Sequence, residues 1–460
     1  MLENLNEHII TPVSALFGKA RSGGFSQNIS SLIKPEKIVA NSAGKRSVLY
    51  STVPGYDELL ESSNSFMREF LLDELKIRSR ETVEEDEVFS VLKGKSLYID
   101  YDNRCDSRLY SVSVCGKEKT SFSNDVSMVK EIVISFRDNV LNTIAIYVKD
   151  YKSQNIWKYT VESGDIKIEE SLTKYYETYS GENMLSYSYE LNFHKEVNVN
   201  GREAKVVFDP LILFDLTPKQ RPDIVSENLI AGQGTELETP LENIILKAFQ
   251  INSNSMFKYT DLENAKIFVE NDATLIIDPS GYFEYKALEG SRGLSISQGM
   301  DKSSYDIYAS TTLAVDFVAA LCNSISGDLL SRMRISSDVV ENTGKQGNYL
   351  ITFDLYIDGI PVLQYNEETQ KTDHTIVMEL DNGYLKSYRQ YLKTYHFSGN
   401  SSGISPVINA VDELISFASE EKLPLRVKRI GVCYFDTQAE TLPQKWEVDV
   451  DGVTEAITIG

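Results

Sequence analysis

The sequence predicts an α+β protein of three domains, each a mostly antiparallel sheet with packed helices. Three observations carry this. A chain of 460 residues exceeds what one hydrophobic core serves, and about 150 residues per domain gives three. Apolar residues alternate at period two in many short runs, while a few longer runs follow a 3.6-residue period. An order of strand, hairpin, helix and strand occurs twice in the later part of the chain, so the second and third domains read as related copies. The expected units are 1–170, an N-terminal helix and β-meander domain; 171–344, a central α+β domain; and 345–460, a C-terminal α+β domain.

In the first unit, "DELLESSNSFMREFLLDELK" sets Leu59, Leu60, Phe66, Met67, Phe70, Leu71 and Leu75 near a helical period, with Pro54-Gly55 as the stop before it and Asp57 in the first turn. "VEEDEVFSVLKG" predicts a second helix, its acids at the N-terminus where the macrodipole favours them and Gly94 at its end. "SLYIDY" alternates as a strand, and "EIVISF", "TIAIYVKD" and "IWKYTV" follow as a meander.

In the second unit, "MLSYSYELNF" and "EAKVVFDPLILFDL" read as strands on either side of the turn "VNVNGR". The connection "TPKQRPDIVSENLIAGQGTELETP" is unusually long for a domain interior and is either functional or mobile; the helix "LENIILKAF" follows it. "AKIFVENDATLIIDPSGYFEYKAL" is a hairpin turning at Asp278-Pro279-Ser280-Gly281. Ser310 is placed to cap a helix striped by Leu313, Phe317 and Leu321, ending at Gly327 before a strand in "RISSDVVEN". The third unit opens on the strand "YLITFDLYIDG", then the hairpin "HTIVMELDNGYLKSYRQYL" turning at Asp381-Asn382-Gly383-Tyr384. Ser405 and Pro406 begin a helix striped by Val407, Val411, Leu414 and Ala418, and the strands "VKRIGVCYF" and "KWEVDVDG" close the chain. Asp-Gly and Asn-Gly supply the positive φ of tight hairpins, so convergent turn chemistry is the alternative to duplication.

Composition narrows the function. Lys and Arg number 46 against 68 acids, a net charge of -22 with the bases scattered, which disfavours nucleic acid and anionic lipid as partners. Cys105, Cys115, Cys322 and Cys433 are too few and too dispersed for a disulfide framework or a zinc set; Cys105 and Cys115 could bridge only across a hairpin. No run reaches the roughly 18 consecutive apolar residues of a membrane span.

No catalytic, cofactor or metal site is expected. His8, His194, His374 and His396 form no ligand spacing, and the phosphate-loop, dinucleotide and nucleophile-elbow motifs are absent from the sequence. "DYDNRCD" at 100–106 has the residue types of a Ca²⁺ loop but neither the Gly nor the closing Glu of one. Tyrosine is conspicuous: 26 residues, clustered as "KYYETYSGENMLSYSYE" and "GYLKSYRQYLKTYHF". Such rows suit interfaces, sugar stacking, or half-buried strand positions.

"IKPEKIVA", "VFSVLKGKSLYIDYD", "IDGIPV" with "MELDNGYLKSY", and "KWEVDVDG", in that order, resemble the YycH and YycI regulatory proteins that accompany the WalK sensor kinase of the WalKR (YycFG) two-component system in Firmicutes. Most of the chain resembles YycH, and its last domain also resembles YycI. The resemblance implies a non-enzymatic protein on the extracytoplasmic face of the membrane, anchored by one N-terminal transmembrane helix. It also implies partners: the membrane histidine kinase and a YycI-like sister protein, with effects on signalling and cell-wall metabolism. No anchor precedes Met1 here, and the expectation is that the sequence is the soluble part of an anchored protein. For contact with a partner the candidates are Tyr384, Tyr388 and Tyr391 of the last hairpin, with Trp446; strand alternation puts Tyr384 and Tyr388 on one face and Tyr391 on the other. The competing class is a secreted carbohydrate- or peptidoglycan-binding module or a hydrolase of unrecognised type.

Overall fold

A computed structural model describes residues 29–42, 45–136, 143–162, 170, 174, 185–193, 197–199, 202–215, 221–230, 239–252, 256–297, 305–336, 339–341, 347–366, 371–421, 425–451 and 457–459. The fold is α+β, with mostly antiparallel sheets.

The N-terminal part is built from β1 (Lys37–Ser42), β2 (Lys45–Tyr50), α1 (Tyr56–Leu72), β3 (Ile77–Val83), α2 (Glu85–Leu92), β4 (Ser96–Asp106), α3 (Ser107–Cys115), α4 (Ser121–Asp125), β5 (Met128–Ser135), β6 (Thr143–Lys149) and β7 (Ile156–Glu162). Its seven strands order as β2-β1-β4-β5-β6-β7-β3. The helical stripe of α1 explains one covered face: Leu59, Met67, Phe70 and Leu71 are buried against Ile132, Ile134, Ile146 and Tyr159. Each such side chain contributes about 1.5–3 kcal/mol on burial. On the other face α2 packs through Val88 and Leu92, joined by Tyr187 and Tyr189. Burial on both faces accounts for the nearly continuous apolar run of β6 and of the second half of β5, Ile132–Ile134. The sheet edge at β3 is guarded by charge, Arg78 pairing with Glu162 at 2.9 Å and Arg80 with Asp125 at 3.4 Å.

The remainder comprises β8 (Leu185–Tyr187), β9 (Val197–Val199), β10 (Arg202–Phe208), β11 (Leu213–Asp215), β12 (Ile224–Asn228), α5 (Thr239–Ala248), β13 (Phe257–Thr260), β14 (Lys266–Val269), β15 (Ala273–Asp278), β16 (Tyr282–Ala287), β17 (Leu294–Ser295), α6 (Ile307–Ile325), α7 (Gly327–Arg332), β18 (Met333–Ile335) and β19 (Val340–Glu341). Then come β20 (Asn348–Ile357), β21 (Ile360–Asn366), β22 (Lys371–Asp373), β23 (Ile376–Asp381), β24 (Tyr384–Tyr391), β25 (Lys393–Phe397), α8 (Val407–Glu421), β26 (Leu425–Asp436), β27 (Gln444–Val450) and β28 (Ile457–Ile459). Consecutive pairing runs β13-β14-β15-β16-β24-β23-β20-β21-β26-β27-β28, and β10 joins the start of β26 in parallel. The sheet therefore crosses residue 345, because β16 pairs with β24.

Two local expectations change. Helix α6 starts a turn earlier than Ser310: Asp306 is the N-cap, its Oδ1 accepting from Ala309 N at 2.9 Å, and Ser310 lies buried inside the helix. Asp306 wins because the cap carboxylate reaches the free N–H groups of the first turn. Although α6 is long and apolar enough by composition to cross a membrane, it is a core helix here, Leu313, Phe317, Val318 and Leu321 packing on the sheet. The long 215–250 connection is in part a strand, since β12 pairs with β25 over Ile224–Asn228.

A buried charged seam joins the two parts. Lys37 lies 3.0 Å from Asp100 and 2.9 Å from Glu36, while Arg429 of β26 bridges Asp102 at 3.2 Å and Glu447 at 2.7 Å. Lys130 Nζ donates to the Lys428 carbonyl at 3.1 Å. Burial raises the Asp100 carboxyl, but Lys37 and Lys130 outweigh it and hold the group at about 2. Burial raises Asp102 to about 7 in spite of Arg429, with Glu36 and Asp100 pushing the same way. Of the acids of "DYDNRCD", Asp100 and Asp102 thus meet Lys37, Lys130 and Arg429, while Asp106 pairs with Arg108 at 2.6 Å.

Candidate protein-interaction face

Strands β13 to β16 and β23 to β24 present two faces of different character. The inner face carries Phe268, Leu275, Ile277, Phe283, Tyr285, Met378 and Tyr388, packed under α5 and α6. On the outer face one cross-strand row runs Tyr259, Ile267, Ile276, Glu284, Arg389, Val377, and a second runs Phe257, Val269, Thr274, Lys286, Ser387, Glu379. None of these twelve side chains is fully buried. The row at the β13 end is apolar, and towards β24 it becomes polar and aromatic.

Tyr282 and Tyr391 are cross-strand partners on this outer face, their ring centroids 5.3 Å apart. Tyr282 Oη donates to Glu284 at 3.0 Å, and Arg389 pairs with Asp373 at 2.6 Å. Burial pushes the Tyr391 phenol up to about 12 and Tyr282 higher, so both stay neutral at physiological pH. Neutral phenols beside an arginine combine apolar area, hydrogen-bonding tips and a planar cation, which is the composition enriched at protein interfaces.

The four residues expected to make contact separate. Tyr384 and Tyr391 are half-exposed on the outer face. Tyr388 is fully buried on the inner face among Phe249, Phe283 and Phe317, with its hydroxyl donating to Gln390 at 2.6 Å. Strict alternation fails here because the β23–β24 register shifts at Glu379/Leu380, inserting an extra residue between Leu385 and Tyr388, both of which point inwards. Trp446 is a core residue packed with Val407, Ala410 and Leu414 of α8, its Nε1 donating to the Ser405 carbonyl at 2.9 Å. Sequence reasoning missed Tyr282, Arg389, Phe257 and Tyr259; alternation in "GYFEYKAL" and "FKYT" marks their faces, but not which face the helices cover. In the 174–190 tyrosine cluster Tyr187 and Tyr189 are buried core residues, and Tyr175, Tyr176 and Tyr179 lie outside the described residues.

Among the described residues no group of three or more His, Cys, Asp or Glu side chains is placed to hold a metal ion. His374 Nδ1 sits 2.9 Å from Asp354 and 3.2 Å from Ser336 Oγ, a structural contact beneath β22. A depression of about 380 Å³ beside α2 is lined by Glu84, Glu85, Lys149 and Arg426 with no aromatic residue, and Glu85 is tied to Lys149 at 3.2 Å.

No protein-family model matches the chain. No curated protein matches its sequence. Among solved structures, YycH from Bacillus subtilis superposes over 94% of this chain and 97% of its own, with a TM-score of 0.58 and 12% sequence identity. An uncharacterized protein from Eubacterium rectale matches over 57% of this chain and 87% of its own, at TM-score 0.37 and 15% identity. The chain has a YycH-like fold along nearly its whole length.

Proposed function

We propose that this protein is a non-enzymatic regulator on the extracytoplasmic face of the cell membrane, held there by an N-terminal transmembrane helix. It binds a membrane sensor histidine kinase of the WalK type and a YycI-type sister protein, and through them modulates two-component signalling and cell-wall metabolism. The likeness to YycH over nearly the full length of both chains carries this reading. The partly exposed sheet face bearing Tyr282, Tyr384, Tyr391 and Arg389 supports it by offering a surface for docking. Division at 344/345 into a central and a C-terminal unit, the latter YycI-like, is retained as part of the proposal, with the two units sharing one sheet.

The test is a pull-down from reconstituted membranes holding the kinase and the sister protein. Capture of at least one is expected, and Arg389→Glu with Tyr391→Ala should weaken it about tenfold or more, about 1.4 kcal/mol. Clean absence of binding to both partners would defeat the proposal. A hydrolase would instead need two carboxylates about 5–9.5 Å apart in an aromatic-lined cleft.

A further inference from the structure

We propose that the free edge of β13 accepts an extended segment of a partner protein as an added strand, and that this segment is apolar at alternate central positions and basic at both ends. The proposal deepens the docking reading above and rests on it only in taking the partner to be a protein.

Strand β13 pairs with β14 on one side, and among the described residues no ladder register joins another strand to its other side. All four of its residues are exposed. In an antiparallel ladder alternate residues of such a strand turn their N–H and C=O groups outward, ready to bond another chain. The edge is short, four residues, but its outward side carries no charge. It has no proline or bulge, and its lysine is turned away: Lys258 Nζ sits 2.7 Å from Glu242 of α5 and lies over the Phe268 ring on the covered face. Lys266 joins the same carboxylate at 2.7 Å. The contrast with β3, whose edge is charged and ion-paired, is direct.

The outer side of the edge is apolar. Phe257 is 68% exposed and Tyr259 43%, their centroids 5.7 Å apart, and behind them lie Ile267, Val269 and Ile276. An added strand would lay its outward-facing apolar side chains on this patch and leave its own far edge in solvent. Charge selects the occupant. Asp261 and Glu263 follow the strand at one end, and the turn with Glu270 and Asp272 lies beyond the Phe257–Val269 pair at the other. With both hairpin lysines drawn to Glu242, the ends of the edge are acidic. A second copy would bring the same acids to the same ends, on a chain of net charge -22, whereas a segment with basic ends is complementary.

The full chain is titrated with fluorescein-labelled Lys-Lys-Val-Thr-Val-Lys-Lys and with Glu-Glu-Val-Thr-Val-Glu-Glu, and amide exchange is followed on the chain. The basic peptide should bind and slow exchange at 257–260 about tenfold or more, the acidic peptide should not bind, and the variant Phe257→Ser/Tyr259→Ser should bind about tenfold more weakly. That variant keeps the net charge and alters only exposed side chains, so equal binding by it would mean diffuse electrostatic attraction and overturn the proposal. Absence of protection at 257–260, equal binding of the acidic peptide, or self-association of the wild type that the variant abolishes would overturn it as well. The peptide experiment reads the strand edge without the kinase or the sister protein, so its failure and failure of the pull-down are separate results.

Discussion

Arg429 is the group whose removal should most disturb the join between the two parts. Its guanidinium spans Asp102 of β4 and Glu447 of β27, whose side chains are only 5% and 4% exposed. Asp102 Oδ1 and Glu447 Oε2 already lack hydrogen-bond partners. Arg429→Met keeps most of the volume and leaves two buried carboxylates without their cation, which costs about 3–5 kcal/mol. The loss should depend on pH. Burial holds Asp102 at about 7, well above its ordinary 3.8. Between those values the native state binds a proton that the unfolded chain releases. The stability from this group is therefore full below about 4 and is lost as pH rises through 7. Roughly three pKa units correspond to about 4 kcal/mol as an upper figure. Asp100 runs the other way: held at about 2, its contribution is present above 3.8 and disappears as pH falls towards 2. Arg429→Met should thus shift urea unfolding far more at pH 8 than at pH 5, where Asp102 carries a proton. Asp102→Asn should flatten the wild-type slope between about pH 4 and 7 and recover part of the Arg429→Met loss. The chain has two tryptophans, Trp157 in the N-terminal sheet and Trp446 in the C-terminal core, so fluorescence of single Trp→Phe variants follows the two parts separately. Equal losses at pH 5 and pH 8, or no loss at pH 8, would refute the reasoning.

Two further outcomes separate core from surface. Tyr388→Ala should cost about 3–5 kcal/mol in urea unfolding, because Tyr388 fills the space between Phe249, Phe283 and Phe317, whereas Tyr384→Ala and Tyr391→Ala should each stay within about 1 kcal/mol. Alkylation of the native protein should reach only Cys105 and Cys115, which are partly exposed and in no disulfide, and unfolding should release Cys322 and Cys433. Burial pushes the Cys322 thiol up to about 12, so its unreactivity has a chemical as well as a steric cause.

Local chemistry made much of the fold legible. The turns at Asp358-Gly359 and Asn382-Gly383 have φ of 49° and 78°, and 49° and 79°, the left-handed pairs that Asp-Gly and Asn-Gly supply at least cost. The α1 stripe and the meander β5 to β7 follow directly from their periods. What stayed hidden depends on distant residues. Nothing near Asp102 in sequence announces Arg429, and nothing in β10 announces its parallel pairing with β26. The face assignment of Tyr388 failed for a smaller reason, one extra residue in a bulge, yet a shift of one residue exchanges core for solvent.

The repeated hairpin phrase also explains why one edge is left open. A two-stranded hairpin is marginal alone and leaves two unpaired edges. Here β15–β16 and β23–β24 lie side by side, β16 against β24 in antiparallel register from Tyr282↔Tyr391 to Lys286↔Ser387, so each hairpin covers an edge of the other. At the far side β23 is covered by β20, and the sheet continues through β21 to β26. At the near side β15 is covered by β14, and β14 by β13, where pairing stops among the described residues. Side-by-side packing of two similar hairpins thus widens the outer face and, among the described residues, moves the unpaired edge to its apolar end. A partner that engaged only the Tyr391 region would use that face and leave the edge exposed, whereas one that also donated a strand to β13 would satisfy both.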